Sequence, residues 1–338
     1  NIAIGTLAMG TGTKNSADQN VAIGYKSLED VTTGDSNVCV GNYTGDDITS
    51  GGNNTAVGYA ALDSMTTGSG NTAIGDGAMQ SITTNTILGA VAVGQYAFKG
   101  AAGTTTGANY TVAIGTNALY ALTTGAENVA LGFMSAYTLT TGDGNVAIGN
   151  KALETHLTGL RNIAIGSYAM SDTNAGTTSQ DSDDNIFIGY VAGGGAWANT
   201  KSEQNVGVGN YVMDAVMNGA LYNVGVGHNA LTALTEGDRN VALGTGSQNF
   251  CTTGNSNTSI GNSALYYNAT GQQNVAVGRD ALGGASGQSH SNNTAVGYAS
   301  LMTVTTGYQN AVIGAYAGDA ITTGQNNTAL GYAALSTE

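Results

Sequence analysis

Proline is absent from this chain of 338 residues, and charge is scarce: 9% of residues are Asp, Glu, Lys or Arg, where a globular domain carries roughly 25%. Without proline, and without a Gly-X-Y period among its 53 glycines, the chain is no collagen-like rod. Too few Glu, Lys and Arg exist to solvate the outside of a coiled coil. No apolar run reaches the roughly 18 residues a membrane-spanning helix needs, so membrane insertion is not expected. The 8 basic residues face 22 acidic ones, a formal charge of -14, which is the wrong sign for holding phosphate backbones and excludes nucleic acid as a partner. The chain opens at Asn1 with neither a Met nor a basic-apolar leader, and so reads as an excerpt or processed piece of something longer.

Groups that carry chemistry are also few. The three histidines, His156, His228 and His290, have no metal-like spacing to Cys, His or Glu. His156, beside Leu157 at a turn, is read as a surface residue. No Gly-x-x-x-x-Gly-Lys-Ser/Thr loop occurs. Carboxylates from separate coils could converge for glycoside cleavage, but Asp and Glu are thinly spread and mostly in turns. No enzyme activity and no cofactor is expected.

What is present is a repeat. Asn-x-Ala-(Ile/Val/Leu)-Gly, or a close variant, starts at residues 1, 20, 37, 54, 71, 90, 111, 128, 145, 162, 185, 205, 223, 240, 257, 274, 293, 310 and 327. Eleven of the 18 intervals are 17 residues long. Asn opens every copy but those at Ala90 and Thr111, and position 5 is always Gly. The complete unit, Asn-(Thr/Val)-Ala-(Ile/Val)-Gly-x-x-Ala-Leu-x-x-apolar-Thr-Thr-Gly-x-x, is clear from Asn54 to Gly70. Self-similarity of this kind marks a solenoid whose units cannot bury an apolar face alone and must stack.

Positions 1 to 4 alternate and are β-branched, predicting a short strand whose even positions share one face. Glycine at position 5 permits a bend, and Ala at 8 and Leu at 9 predict a second short strand, as in Ala152 and Leu153. Thr-Thr-Gly then closes the circuit as a turn, with Asn at the next position 1 suited to a left-handed turn or to bonding neighbouring backbone. Two fixed glycines per unit argue against a helix, at about 1 kcal/mol each. The fold expected is an all-β parallel solenoid of about 19 coils forming one domain over residues 1–338. At a strand spacing of about 4.8 Å, it would be a rod roughly 90 Å long. Outward alanines at positions 3 and 8 would leave a flat surface for packing against another chain, predicting homo-oligomerisation.

Units such as Asn54-Thr-Ala-Val-Gly-Tyr-Ala-Ala-Leu and Asn71-Thr-Ala-Ile-Gly resemble two related groups. One is the head of YadA-type trimeric autotransporter adhesins; the other, nearer in period and in its Ala-Leu…Thr-Thr-Gly segment, is the repeat region of phage tail fibres. The resemblance covers essentially the whole chain and implies a parallel β-roll, a homotrimer, and a stalk or head that carries attachment surfaces. It carries over no catalytic residue. Neither a membrane anchor nor a self-cleaving chaperone domain is found, so ownership by a virion or a cell stays open.

Seven intervals are longer than 17 residues, and four of the extensions hold features of interest: Lys99 to Asn109, Ser171 to Asp184, Gly193 to Gln204, and Gly283 to Asn292. The second holds Asp181, Asp183 and Asp184, weak candidates for Ca2+ through oxygen ligands, with a solvated acidic loop as the alternative. The third holds the single tryptophan, Trp197, able either to stack on a sugar or protein or to fold back over a coil end or a seam between subunits. The fourth contains His290, a further candidate contact. Ten tyrosines, among them Tyr190 and Tyr211, fall at position 6 or 7, predicting either a ladder of platforms for a polysaccharide or packing at the coil corners. Cys39 and Cys251 lie eleven coils apart, too far for a disulfide.

The expected function is a rigid structural fibre segment, first of a phage tail fibre, extracellular on a virion surface. A bacterial cell-surface adhesin or extracellular filament is the alternative, with a polysaccharide depolymerase or an ice-binding solenoid ranked lower. Host-surface glycan or protein receptors are its expected partners besides itself.

Overall fold

The computed structural model describes residues 1–10, 16–82, 87–101, 105–173 and 181–336. Among these residues there is no α-helix. The described residues form a parallel β-solenoid with 19 strands of three residues, each strand occupying positions 2 to 4 of one repeat. It divides into two compact units, Asn1–Ile165 and Gly166–Glu338. In the first, strands β1 (Ile2–Ile4) to β10 (Ile163–Ile165) each pair in parallel with the next. In the second, β11 (Ile186–Ile188) to β19 (Thr328–Leu330) do the same. Register is one repeat per coil, so Val21 lies opposite Val38 and Ala22 opposite Cys39.

The faces of the strands are the reverse of the expectation. Position 3 points inward: Ala56, Ala73 and Ala113 are fully buried, while Val57 and Ile74 at position 4 are exposed. Ala at position 8 is interior as well, beside Leu at 9 and the apolar residue at 12, as in Ala61, Leu62 and Met65. The reason is volume. A 17-residue circuit is so narrow that its strand wall accepts little more than a methyl group. Phe187 and Val312 are the large residues at position 3, and each faces glycine: a Cβ added to Gly207 in the next coil would lie 2.5 Å from the Phe187 ring, and one on Gly318 would lie 3.1 Å from Val312 Cγ1. The large ring is accommodated because its neighbours have no side chain.

The second strand predicted around Ala152 and Leu153 does not form; positions 6 to 11 are turns. Positions 7 and 9 are left-handed, with φ of 55° at Lys26 and 51° at Leu28. That hand costs an L-residue about 1–2 kcal/mol, and inter-coil hydrogen bonds compensate. The alternation aims successive amides up and down the stack: Lys26 N–H donates to Thr6 O and Leu28 N–H to Thr44 O, each at 3.0 Å. The backbone is satisfied without being extended.

Glycine at position 5 does more than bend. Gly58 has φ of 133°, and a Cβ there would lie 2.5 Å from the carbonyl oxygen of Gly75 in the next coil. Glycine at 15 has an ordinary φ and is required by contact alone, since a Cβ on Gly254 would lie 2.5 Å from Gly271 O.

Asn at position 1 turns inward and forms a buried ladder. Asn37 donates its N–H to Asn20 Oδ1 at 2.8 Å, and its amide donates to the same oxygen at 3.1 Å and to Gly51 O at 2.9 Å. Thr at position 13 forms a parallel one, Thr32 Oγ1 donating to Thr49 O and Thr49 Oγ1 to Thr66 O. These ladders satisfy polar groups that a thin interior cannot otherwise hydrate.

Candidate functional site

The most extensive surface feature is the outward face of the strands. Position 4 is Ile, Val or Leu in all 19 copies. Ile74, Leu131, Ile260 and Ile313 are each two-fifths or more exposed. Position 2 adds further apolar surface at Val38 and Val275. Parallel sheets are ordinarily covered on both faces. In each unit this sheet has the coil interior behind it and an aliphatic stripe in front.

Tyrosines at the corner form edge-to-face columns. Tyr25, Tyr43 and Tyr59 stand at ring separations of 5.2 and 5.9 Å, with interplanar angles of 82° and 75°. Tyr168, Tyr190, Tyr211 and His228 continue in the same manner, as do Tyr298, Tyr316 and Tyr332. The geometry follows from the alternation of positions 6 and 7 in successive coils, the second of which is left-handed. Successive rings stand perpendicular and engage one another at the corner, and Tyr190 and Tyr211 are both exposed.

Of the two readings of Trp197, the structure gives the folded-back one, so it is not the exposed binding contact that was its other reading. It is completely buried, its ring edge-on to Phe187 at 5.9 Å and its Nε1–H donating to Gly193 O at 3.0 Å. His290 is likewise buried and cannot serve as a surface contact. In its coil position 12 is the small Ala285, half-exposed, and the His290 ring enters the interior instead. Its carbonyl takes the place of a position-15 glycine, accepting from the Asn274 amide at 2.9 Å. Neither His290 ring nitrogen nor Asn268 Nδ2 has a hydrogen-bond partner, and burial lowers the His290 pKa to about 4.

His156 is also interior, contrary to the surface reading, because it occupies position 12; its Nε2 is 3.1 Å from the Asn162 amide. That amide can only donate, which requires neutral imidazole with its proton on Nδ1. These interior residues share one signal: each stands where a coil lacks its usual apolar residue at position 12.

In the insertion from Ser171 to Asp184, residues 174–180 lie outside the described residues. Asp183 O accepts from Gln204 N–H, and Ser182 Oγ accepts from Ser202 N–H. Among the described residues no three His, Cys, Asp or Glu side chains converge in a metal-ligating group, and Asp181, Asp183 and Asp184 are not brought together as one. In the insertion from Lys99 to Asn109, residues 102–104 lie outside the described residues. Lys99 Nζ donates to the Tyr120 hydroxyl at 3.0 Å and lies over the rings of Tyr96 and Tyr120.

Carboxylates stack where three coils carry them at positions 10 and 11: Glu29, Asp30, Asp46, Asp47 and Asp63. Burial, then the Glu29 carboxylate, pushes Asp46 up to about 7. Burial, then Asp47, pushes Asp63 up to about 6. Lys26 bridges Glu29 at 2.7 Å. Cys39 and Cys251 are free and buried, and burial raises both thiols to about 12.

A cleft of about 220 Å3 opens in the second unit against Tyr266, Tyr267, Asp280, Met302 and Ser263. Sequence reasoning passed over it. The available signals were the chain's single Tyr-Tyr pair and the insertion that begins at Gly283 in the adjoining coil.

No protein-family model and no curated protein matches the chain.

Proposed function

We propose that the chain is a non-enzymatic structural segment of an extracellular fibre, self-assembling through the outward faces of its strands into a homotrimer. The observation that carries this is the aliphatic residue at position 4 of every coil. A stripe of that regularity serves no purpose inside the coil and gains free energy only when covered, at roughly 25 cal/mol per Å2. The repeat's resemblance to tail-fibre repeats favours a virion attachment fibre that holds a receptor-binding surface on a host, with a bacterial surface filament as the second owner. Both use the same mechanics: stacked coils give stiffness and the stripe gives self-recognition.

Sedimentation of the full chain against a variant carrying Ile74→Asp and Ile313→Asp tests the reading. The expected result is a stable oligomer for the parent and dissociation in the variant, with circular dichroism unchanged. A parent chain that sediments as a monomer overturns it.

A further inference from the structure

We propose that the cleft at Tyr266 and Tyr267 binds a single pyranose ring of a carbohydrate. It lies at positions 7 to 11 of the coil and away from the outward strand face, so it stands independently of self-assembly.

Tyr267 is braced from two directions. Phe250 stacks on it at 5.3 Å and 18°, and Tyr266 stands perpendicular to it at 4.7 Å and 90°. Tyr266 is also edge-on to Phe250 at 5.3 Å. A ring held in this way needs no ordering when a ligand arrives, which removes part of the cost of binding. With Phe250 against one face of Tyr267, the other face is the natural wall of the cleft, and the C–H face of a pyranose is the complementary surface.

The polar groups stand at the margin. Asp280 Oδ2 accepts from Arg279 Nε at 3.1 Å, which fixes the carboxylate and leaves acceptor capacity for ring hydroxyls. The Arg279 guanidinium is held in turn over Tyr298. Ser263 Oγ donates to Asn262 Oδ1 at 3.2 Å, leaving its lone pairs available. The insertion keeps the mouth wide: Gly283 has no side chain, and a Cβ there would come within 3.7 Å of Met302 Cγ. At about 220 Å3 the cleft is below the roughly 300–1,000 Å3 of drug-sized sites, which suits one ring of a longer glycan. A quaternary ammonium fits less well, because Arg279 already neutralises Asp280 and Tyr267 has one face covered.

Saturation-transfer NMR on the full chain, with the methyl glycosides of glucose, galactose, mannose and N-acetylglucosamine, and with choline, tests the proposal. Transfer from the ring protons of at least one glycoside is expected. It should fall at least tenfold in Tyr267→Ala and in Asp280→Ala, and persist in Tyr267→Phe and in Tyr190→Ala. No transfer from any glycoside, transfer undiminished in Tyr267→Ala, or transfer from choline alone overturns the proposal. Circular dichroism and sedimentation of each variant separate loss of the cleft from loss of fold or assembly. Should Tyr267→Ala unfold, the loss or persistence of transfer in Asp280→Ala decides by itself.

Discussion

Asn54 Oδ1 accepts two hydrogen bonds from Asn71, one from the backbone N–H at 3.0 Å and one from the side-chain amide at 3.1 Å. The Asn54 amide meanwhile donates to Asn37 Oδ1 and Gly68 O, so one side chain joins three coils in an interior that excludes water. Asn54→Ala strands the Asn71 donors and the Gly68 acceptor and should cost about 1–3 kcal/mol, read as a lower midpoint in chemical denaturation. An unchanged midpoint would show that the ladder is ornamental.

Gly254→Ala is expected to be severe although its backbone conformation suits any residue, because the added methyl meets Gly271 O in the next coil. Gly107→Ala has the opposite character. Its φ is 74°, but nothing lies within 4 Å of the added Cβ, so its cost should stay near the 1–2 kcal/mol of a left-handed L-residue. The ratio of the two losses in thermal unfolding measures how much of the glycine requirement is contact and how much is conformation.

Two groups of residues respond to pH with opposite sign. His290 has a folded pKa near 4 against an ordinary 6.5, so the unfolded chain takes up a proton first. Its stability contribution is intact above about 6.5 and is lost as pH falls toward 4, by roughly 3 kcal/mol. Asp46 and Asp63 have folded values near 7 and 6 against an ordinary 3.8. Here the folded chain holds the proton longer, and stability present below about 4 is lost as pH rises through 6 to 7. His290→Leu should flatten the acid limb of a Tm-against-pH curve, whereas Asp46→Asn should raise Tm at pH 7 and leave it unchanged at pH 3.5.

Phe187 and Gly207 should behave as a coupled pair. Phe187→Ala empties part of a fully packed coil and should cost about 3–5 kcal/mol. Gly207→Ala alone drives a methyl into the Phe187 ring. Together the two substitutions restore the ordinary alanine ladder of position 3, so the double variant should be more stable than the sum of the single losses predicts. Strict additivity in denaturant unfolding would remove the volume argument.

The coil count, the strand positions and the glycine corners were legible because they recur at fixed spacing. The strand faces were not, since Val-Ala-Ile alternates equally well in either orientation; only volume decides, and a residue larger than alanine such as Phe187 enters so small a circuit where glycine makes room for it. The second strand was misread although a signal existed: Ala61 and Leu62 are adjacent and both buried, which period-two alternation does not allow. Trp197 and His290 were judged by their place in insertions, when the missing core residue at position 12 was the better guide. The cleft is assembled from three successive coils, through Tyr267, Asp280 and Met302, and no local pattern marks such a meeting.

The asparagine ladder has a genetic consequence. Asn162 already presents to Asn145 the donors that Asn145 presents to Asn128. Excision of residues 145–161 would therefore bring Asn162 onto Asn128 with the same inter-coil donors, losing only the contact of its amide with His156, which leaves with the excised coil. Crossing-over between copies that keeps this phase removes or duplicates a whole coil without creating a junction of a new type, so length is a trait that recombination can reset one step at a time.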